Sequence, residues 1–349
     1  MAEKDDIKFM KRCVELASKA EGLTYPNPMV GSVIVYEGKI IGEGYHKKPG
    51  GPHAEVIAIN SVSDKTKLKF STLYVNLEPC SHFGKTPPCA DFIISNIIPR
   101  VVIGTGDTSE KVSGEGVSRL KNAGCEVITG VVEEECRRLN RRFFTFHEKK
   151  RPYITLKWAQ SADGFLDLLR SDETVLGPNW ITGKPEKVLV HKWRASEQSI
   201  LVGAGTVRTD DPKLNVREWN GNDPLRIVLS NSGLINSEAA VNAIDNTLVV
   251  FTQNMDSTIA GALKVKLNDD IPSSHQIAEY LFNSGIQSLM IEGGAKVLNH
   301  FISTGLWDEA RIFKGKNYFK KGIKAPQIHD VLFSKTTFSG STLEIYLKK

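Results

Sequence analysis

Hydrophobic residues in the first half of the chain recur with two spacings, one helical and one strand-like. Ile7, Met10, Val14 and Ala17 lie three or four positions apart, which predicts an amphipathic helix over 4–20. Short apolar runs bounded by turn residues predict strands further along. The predicted elements that follow are strands at 30–35 and 39–44, a helix at 53–61, a strand at 72–77, a helix at 89–95 and a strand at 101–104. Because strands alternate with helices, the pattern indicates an α/β sheet.

The second half repeats this alternation after a charged segment at 148–151 that Pro152 closes. The predicted elements are strands at 153–158, 199–203, 225–230, 247–251 and 288–291 and helices at 186–195, 274–283 and 295–303. No period of about 20 to 50 residues recurs, which excludes a solenoid. We therefore predict two α/β domains, 1–148 and 149–349, that meet at the charged segment.

Length and composition agree with two folded domains. A chain of 349 residues is about twice the usual size of one domain, and 40% hydrophobic residues suffice for full cores. No apolar stretch reaches about 18 residues, and the first residues carry charges of both signs instead of a signal sequence. We therefore expect a cytoplasmic protein with no membrane partner.

The net charge of +5 is spread thinly over both halves of the chain. Such a diffuse surplus suits small anionic substrates, whereas nucleic acids need a concentrated basic face, so we expect no nucleic-acid partner. Five cysteines are too few for a disulfide framework, and those that matter are expected to be metal ligands or nucleophiles. The sequence leaves the oligomeric state open, a homo-oligomer included.

The strongest chemical signal is His53 and Glu55, followed by Pro79-Cys80 and by Cys89 nine positions later. One imidazole and two thiolates give zinc three protein ligands and leave a fourth position open, as in catalytic zinc sites. His53 and Cys89 each stand where a predicted helix begins, and a helix N-terminus lowers the pKa of a thiol. Glu55 would take a proton from zinc-bound water and deliver it to the substrate. The H-x-E pattern with a later P-C pair is a known mark of zinc nucleobase deaminases, so this step rests on recognition of a motif.

Other roles for these residues remain open at this stage. A closed structural zinc site would use His82 as a fourth ligand, although Glu55 would then have no task. Glu78 is either an acceptor that supports a metal ligand or a solvated carboxylate. The remaining cysteines are expected to be packing residues: Cys13, Cys125 and Cys136.

The eight residues between Cys80 and Cys89 depart from the two-residue spacing of the common deaminase motif. Pro-Cys-Ser-His at 79–82 and Thr-Pro-Pro-Cys at 86–89 bracket this insertion. Together with Thr-Tyr-Pro-Asn-Pro at 24–28 and Gly-Gly-Pro-His-Ala-Glu at 50–55, the segment resembles the riboflavin-biosynthesis deaminase family. The resemblance implies a cytidine-deaminase-like, three-layer first domain.

The same resemblance implies which groups bind the substrate in the first domain. They contact a pyrimidine or its ribose phosphate, and they are Asn27, His46 and Lys85. A lysine on a loop is a mobile point charge, which suits a phosphate.

Two glycine segments of the second half are candidates for phosphate binding. The segment at 203–208 lacks the third glycine of a dinucleotide fingerprint, because Arg208 occupies that place. An apolar strand at 289–291 runs through Gly293-Gly294 into a helix, and such a turn presents free N–H groups to a phosphate. A plain strand-to-helix turn would have the same pattern.

Several motifs of the second half are similar to the reductase domain of the same bifunctional family. They are Lys-x-Ala-x-Ser-x-Asp-Gly at 157–164, Trp-Ile-Thr at 180–182, His191 to Arg194, Gly-Thr-Val at 205–207, Asp-Asp-Pro-x-Leu-x-Val-Arg at 210–217 and Glu-Gly-Gly at 292–294. The resemblance implies a dihydrofolate-reductase-like fold and NADPH as the cofactor. Pro178 and Asn231 depart from the family, which commonly has serine at both positions.

By this resemblance, two groups of residues line the second site. The nicotinamide nucleotide would contact Ala159, Trp180, Thr206, Asp210, Gly294, Ala295 and Lys296. The substrate would contact Lys157, Arg194, Leu214, Arg217 and Glu292. Arginine guanidinium groups bind phosphate as a fork, so we expect Arg194 and Arg217 to hold a ribose 5′-phosphate.

These resemblances imply a bifunctional enzyme. Its first domain would deaminate 2,5-diamino-6-ribosylamino-4(3H)-pyrimidinone 5′-phosphate with Zn²⁺, and its second would reduce the ribosyl to a ribityl chain with NADPH. One rival is a deaminase for another base, such as adenosine in tRNA, against which the long Cys80–Cys89 loop and the second domain argue. The other is a structural zinc module with a nucleotide-sensing domain, which would unfold when the metal is removed.

Overall fold

The computed structural model describes residues 2–81, 87–108, 114–169, 177–242, 248–255 and 262–349. The chain divides into two compact units, Met1–Lys150 and Arg151–Lys349. The division falls two residues after the predicted boundary, within the charged segment. Among the described residues, no helix combines the length and the apolar character that crossing a bilayer requires.

The first unit is built on a five-stranded sheet. Its strands are β1 (Gly31–Tyr36), β2 (Lys39–Tyr45), β3 (Thr72–Leu77), β4 (Arg100–Thr105) and β5 (Glu126–Thr129). Its helices are α1 (Ala2–Ser18), α2 (Ala54–Ser61), α3 (Cys89–Ser95), α4 (Glu115–Asn122), α5 (Glu133–Leu139) and α6 (Arg141–Lys149). The sheet order is β2-β1-β3-β4-β5, with β3, β4 and β5 parallel and β1 antiparallel to both of its neighbours.

Helices cover both faces of this sheet. Successive residues of a strand point to opposite faces, so strands that are apolar throughout need cover on both. Val33 and Val35 of β1 pack against α1, whereas Ile34 between them packs with α2 and α3 on the other face. The first unit therefore has three layers, and the predicted helices and strands of this half are confirmed.

The second unit contains a nine-stranded sheet. Its strands are β6 (Tyr153–Gln160), β8 (Ser199–Gly203), β9 (Leu225–Leu229), β10 (Leu248–Thr252), β11 (Ala262–Lys266), β12 (Ser288–Gly293), β13 (Glu309–Gly315), β15 (Val331–Thr337) and β16 (Ser341–Leu347). A separate pair is β7 (Phe165–Asp167) with β14 (Ile323–Lys324). The helices are α7 (Lys184–Ser196), α8 (Ala204–Asp210), α9 (Ser273–Asn283) and α10 (Ala295–Ser303).

The order of the large sheet is β11-β10-β9-β8-β12-β6-β13-β16-β15. Neighbours are parallel from β11 to β13, and the last two pairs are antiparallel. Four strands of this sheet were not predicted from the sequence, namely β11, β13, β15 and β16. In β13 the charged residues Glu309 and Arg311 interrupt the apolar pattern. Both are nevertheless buried, and Arg311 Nε donates to Glu309 Oε1 at 2.5 Å.

Candidate functional sites

The three predicted metal ligands of the first unit converge. His53 is the N-cap residue of α2, Cys80 lies three residues beyond β3, and Cys89 is the first residue of α3. His53 Nδ1 lies 3.1 Å from Cys89 Sγ and 3.5 Å from Cys80 Sγ. The ligand atoms of all three residues lie within 4.8 Å of one another. Two helix starts and one strand end thus meet at a single point.

The spacing of these atoms fits a zinc ion. Tetrahedral zinc with Zn–N of about 2.0 Å and Zn–S of about 2.3 Å separates its nitrogen and sulfur ligands by roughly 3.5 Å. The soft and borderline donors, one imidazole and two sulfurs, are those that zinc prefers. Within the described part of the chain, this cluster contains three such ligands. His82, which a closed structural site would need as the fourth ligand, lies outside the described residues.

The two thiols have opposite pKa shifts. A hydrogen bond from Cys89, assisted by His53, lowers the pKa of Cys80 to about 4. Because Cys89 donates that hydrogen bond and is buried, its own pKa is raised. The hydrogen bond to Cys80 raises the pKa of His53. Before a metal binds, Cys80 is therefore the thiolate of the pair and Cys89 the thiol.

Glu55 lies in the first turn of α2 and is only 3% exposed. Burial raises the pKa of its carboxyl to about 7. Its side chain hydrogen-bonds to Cys89, so it lies directly beside the ligand cluster. A carboxyl group with a pKa near neutrality can both accept and donate a proton during a reaction.

Asn27 and His46 form a hydrogen-bonded pair next to this cluster. His46 Nδ1 lies 3.1 Å from the carbonyl oxygen of Pro52, and a carbonyl only accepts, so Nδ1 carries the proton. His46 Nε2 then accepts from Asn27 Nδ2 at 3.0 Å. The rings of His46 and His53 are 5.6 Å apart. Lys85, the third predicted substrate residue here, lies outside the described residues.

Glu78 has a role that the sequence analysis missed. Its buried carboxylate accepts three backbone N–H groups, from Asp107 at 3.3 Å, Gly114 at 3.1 Å and Val117 at 3.1 Å. Neither expected role, an acceptor for a metal ligand or a solvated group, is correct. Glu78 caps the start of α4 and holds that helix against the segment that leads into Cys80.

In the second unit, three predicted substrate residues form a buried ionic cluster. Arg194 of α7 donates from Nε and Nη2 to the two carboxylate oxygens of Glu292, each at 2.7 Å. Lys157 Nζ lies 3.8 Å from Glu292 Oε2. Although burial opposes ionisation, Arg194 and Lys157 lower the pKa of Glu292 to about 2. Burial lowers the pKa of Lys157.

The expectation that Arg194 offers a fork to phosphate is wrong, because Glu292 occupies that fork. The third nitrogen, Arg194 Nη1, donates to the carbonyl oxygen of Asn215 at 3.1 Å. Arg217 is exposed, and its guanidinium hydrogen-bonds to the Asn215 side chain. Of the two arginines, Arg217 is the one whose side chain faces outward.

The predicted nucleotide residues lie mainly at the carboxyl ends of neighbouring parallel strands. Strands β8, β12 and β6 are adjacent, so their ends share one edge of the sheet, where α8 and α10 begin. Gly294 has φ +79°, in the region that favours glycine. A Cβ atom on Gly293 or Gly294 would lie 3.3 Å from Thr206 Oγ1, so the paired glycines let this turn approach α8 closely.

The remaining nucleotide residues lie on the same elements or in the segment before α7. Ala159 is near the end of β6, Asp210 ends α8, and Ala295 and Lys296 open α10. Trp180 is 63% exposed, with Lys187 Nζ 5.6 Å from the centre of its ring. An exposed indole is available for contact with a ligand.

Comparisons with known proteins assign both units. Residues 3–105 match the cytidine and deoxycytidylate deaminase zinc-binding region, and residues 152–315 match the RibD C-terminal domain. The riboflavin biosynthesis protein RibD of Aquifex aeolicus (strain VF5) is 41% identical over 328 residues, which cover 93% of this chain and 90% of that protein. That of Escherichia coli (strain K12) is 33% identical over 325 residues, covering 88% and 87%.

Two solved structures are similar to this chain over almost its whole length. One, from Thermotoga maritima, is described as a diaminohydroxyphosphoribosylaminopyrimidine deaminase/5-amino-6-(5-phosphoribosylamino)uracil reductase. It has a TM-score of 0.90 and 36% identity and covers 100% of both chains. Acinetobacter baumannii RibD, form 1, has a TM-score of 0.88 and 30% identity and covers 99% of each chain.

Proposed function

Because this chain belongs to the RibD family of riboflavin biosynthesis proteins, we propose that it catalyses two consecutive steps of that pathway. The first is the zinc-dependent hydrolytic deamination of 2,5-diamino-6-ribosylamino-4(3H)-pyrimidinone 5′-phosphate. The second is the NADPH-dependent reduction of its ribosyl group to a ribityl chain. The cytidine-deaminase-like domain carries the first step and the dihydrofolate-reductase-like domain carries the second.

For deamination, His53, Cys80 and Cys89 would hold the zinc ion. Bound zinc supplies a Lewis acid that brings the pKa of water from about 15.7 towards about 7. The carboxylate of Glu55 takes a proton from the attacking water and returns it to the leaving amino nitrogen. A C–O bond forms, the C–N bond breaks, and ammonia leaves. Asn27, His46 and Lys85 are assigned to the substrate.

One observation carries this assignment, namely the buried carboxyl of Glu55 beside Cys89 at the convergence of the three ligands. A structural zinc site has no use for a buried acid with a pKa of about 7 at that place. The pair formed by Asn27 and His46 next to the ligands supports a binding site for a polar ring.

For reduction, NADPH supplies the hydride, and the residues of this chain supply binding and orientation. We assign the cofactor to the turn at Gly293-Gly294, with Thr206, Ala295 and Lys296 around it. The substrate residues are Lys157, Arg194, Leu214, Arg217 and Glu292. Among them, Arg217 is assigned to the 5′-phosphate because its guanidinium is exposed.

Substitution of Glu55 tests the deaminase assignment. Glu55→Gln keeps the shape and the hydrogen-bonding capacity of the side chain but removes the base. We expect full zinc content by metal analysis, a loss of ammonia release of roughly 10²-fold or more, and normal oxidation of NADPH with supplied deaminated substrate. Glu134→Gln, at an exposed position on α5, is the matched control and should behave as wild type. Loss of zinc, or of both activities in a folded protein, would count against this assignment.

We also propose the domain limits, the location and the partners of this enzyme. The domains are taken as 1–148 for deamination and 149–349 for reduction, and the enzyme is placed in the cytoplasm. Its partner is the phosphorylated pyrimidine, with neither nucleic acid nor membrane required, and a homo-oligomer is compatible with both sites.

A further inference from the structure

We propose that His191 is a positioning residue of the reductase site, which fixes the backbone of Arg217 so that its guanidinium meets the substrate phosphate. This inference rests on the proposed function, because it takes Arg217 as the phosphate ligand. His191 lies on α7, three residues before Arg194, and is only 2% exposed. Its Nδ1 lies 3.1 Å from the backbone nitrogen of Arg217.

The protonation state of His191 follows from this contact. A backbone N–H can only donate, so Nδ1 must hold a lone pair and the ring must be neutral. Burial, together with the charges of Arg194 and Arg217, lowers the pKa of His191 to about 4, so the ring stays neutral at physiological pH. His191 therefore adds no charge of its own beside the two arginines.

His191 is one of several groups that hold the segment 214–217 in a single conformation. Leu214 is buried with φ +56°, and the Asn215 carbonyl accepts from Arg194. The backbone N–H of Val216 donates to Asp223 Oδ1 at 2.7 Å. Each residue of the segment is thus anchored by other groups of the protein. A preformed segment binds its ligand with less loss of conformational entropy than a mobile one.

The arrangement gives His191 a task that a packing histidine does not have. Helix α7 holds the segment at two points, through Arg194 at Asn215 and through His191 at Arg217. Arg194 also donates to both carboxylate oxygens of Glu292. The contact with His191 is the one of the two that acts directly on the Arg217 backbone. Removal of the acceptor leaves that N–H without its partner and frees the end of the segment.

The test is steady-state kinetics of the reductase with supplied deaminated substrate. For His191→Ala we expect the KM for the phosphorylated substrate to rise about 3- to 10-fold, the effect of one hydrogen bond, with kcat and the KM for NADPH unchanged. His191→Asn should recover most of the affinity, because its Oδ1 can accept where Nδ1 did. Lys192→Ala, the exposed neighbour on α7, is the control and should match wild type.

A double-mutant cycle shows whether His191 acts through Arg217. Arg217→Ala should raise the same KM roughly 10- to 100-fold, as expected for a lost charged contact. Adding His191→Ala to Arg217→Ala should then change nothing further. Three outcomes would overturn the inference about His191. The first is that the two substitutions raise the KM for the phosphorylated substrate additively, and the second is that the KM for NADPH changes. The third is that Arg217→Ala raises the KM for the phosphorylated substrate while His191→Ala leaves it unchanged. A normal KM in Arg217→Ala would instead overturn the proposed phosphate assignment, and the inference with it.

If His191→Ala does not fold, the comparison of His191→Asn with His191→Gln replaces it. The amide oxygen of Gln lies one bond further out and misses the Arg217 N–H, so His191→Gln should show the raised KM and His191→Asn should not. Equal KM values for both would overturn the inference. An unchanged KM for NADPH reports in every variant that the second unit is folded.

Discussion

Glu292 is a carboxylate that stays ionised although it is buried. Two features of its surroundings explain this, the bidentate contact with Arg194 and the nearby ammonium of Lys157. Such a cluster contributes little net stability as a whole, because desolvation of the charges offsets their attraction. Removal of one member is costly, because the others remain buried without compensation.

Glu292→Gln should therefore destabilise the second unit by about 3–5 kcal/mol at pH 7. The pKa of Glu292 is lowered to about 2 in the folded state, against an unfolded value of about 4.3. The stabilisation is thus fully present above about pH 4.3 and is lost as the pH falls towards 2. Urea unfolding of both proteins between pH 7 and pH 3 should show the difference shrinking only at the acidic end. Glu218→Gln, a partly exposed glutamate paired with Lys187, should show no such difference.

At the scale of elements, Glu78 holds the end of β3 and the start of α4 together. The carboxylate holds three amides of the segment that leads into the helix, and Gly116 of α4 lies so close that a Cβ there would be 2.1 Å from the Pro79 carbonyl oxygen. Pro79 directly precedes Cys80. The position of α4 is therefore tied to the position of one metal ligand.

We expect Glu78→Ala to cost about 1–3 kcal/mol in the free energy of unfolding, because three partly buried backbone donors lose their acceptor. Zinc should also dissociate faster in a chelator chase, since the Cys80 segment becomes looser. Glu78→Gln keeps one carbonyl oxygen and should show a smaller loss in both measurements. A wild-type zinc dissociation rate in Glu78→Ala would separate α4 from the metal ligand and contradict this coupling.

Periodicity predicted most elements, but contacts between distant residues decided the rest. Strand β1 was predictable because Val33, Ile34 and Val35 are apolar on both faces. Strand β13 was not, since the buried Glu309 accepts from the Tyr153 hydroxyl, 156 positions away, and no local pattern indicates that partner. The metal ligands were predictable from a local motif, whereas the partners of Glu78 lie 29 to 39 positions away. The occupied fork of Arg194 depends on Glu292, 98 positions away, and no local pattern indicates it.

At the scale of the whole molecule, two compact units carry two chemistries with different requirements. The first needs a metal ion, and the second needs a nucleotide cofactor. The metal ligands all belong to the first unit, and the residues assigned to NADPH all belong to the second. Loss of the metal should therefore abolish deamination and leave the reduction unchanged.

Treatment of the full-length enzyme with a chelator should abolish ammonia release and leave the oxidation of NADPH with deaminated substrate unchanged. Added Zn²⁺ should restore the first activity, because an open catalytic site loses its metal without global unfolding. Both activities are measured on the same sample, with circular dichroism to confirm that the fold persists. A parallel decline of the two activities would show that the second site depends on the first.

The unequal thiols of the metal centre have a consequence for its assembly. Cys89 keeps its proton because it donates it to the Cys80 thiolate, and zinc needs both sulfurs as anions. Each zinc ion that binds must therefore displace the proton of Cys89 into the solvent. Protons and zinc compete for the Cys89 sulfur, so the zinc affinity of this site falls as the pH falls.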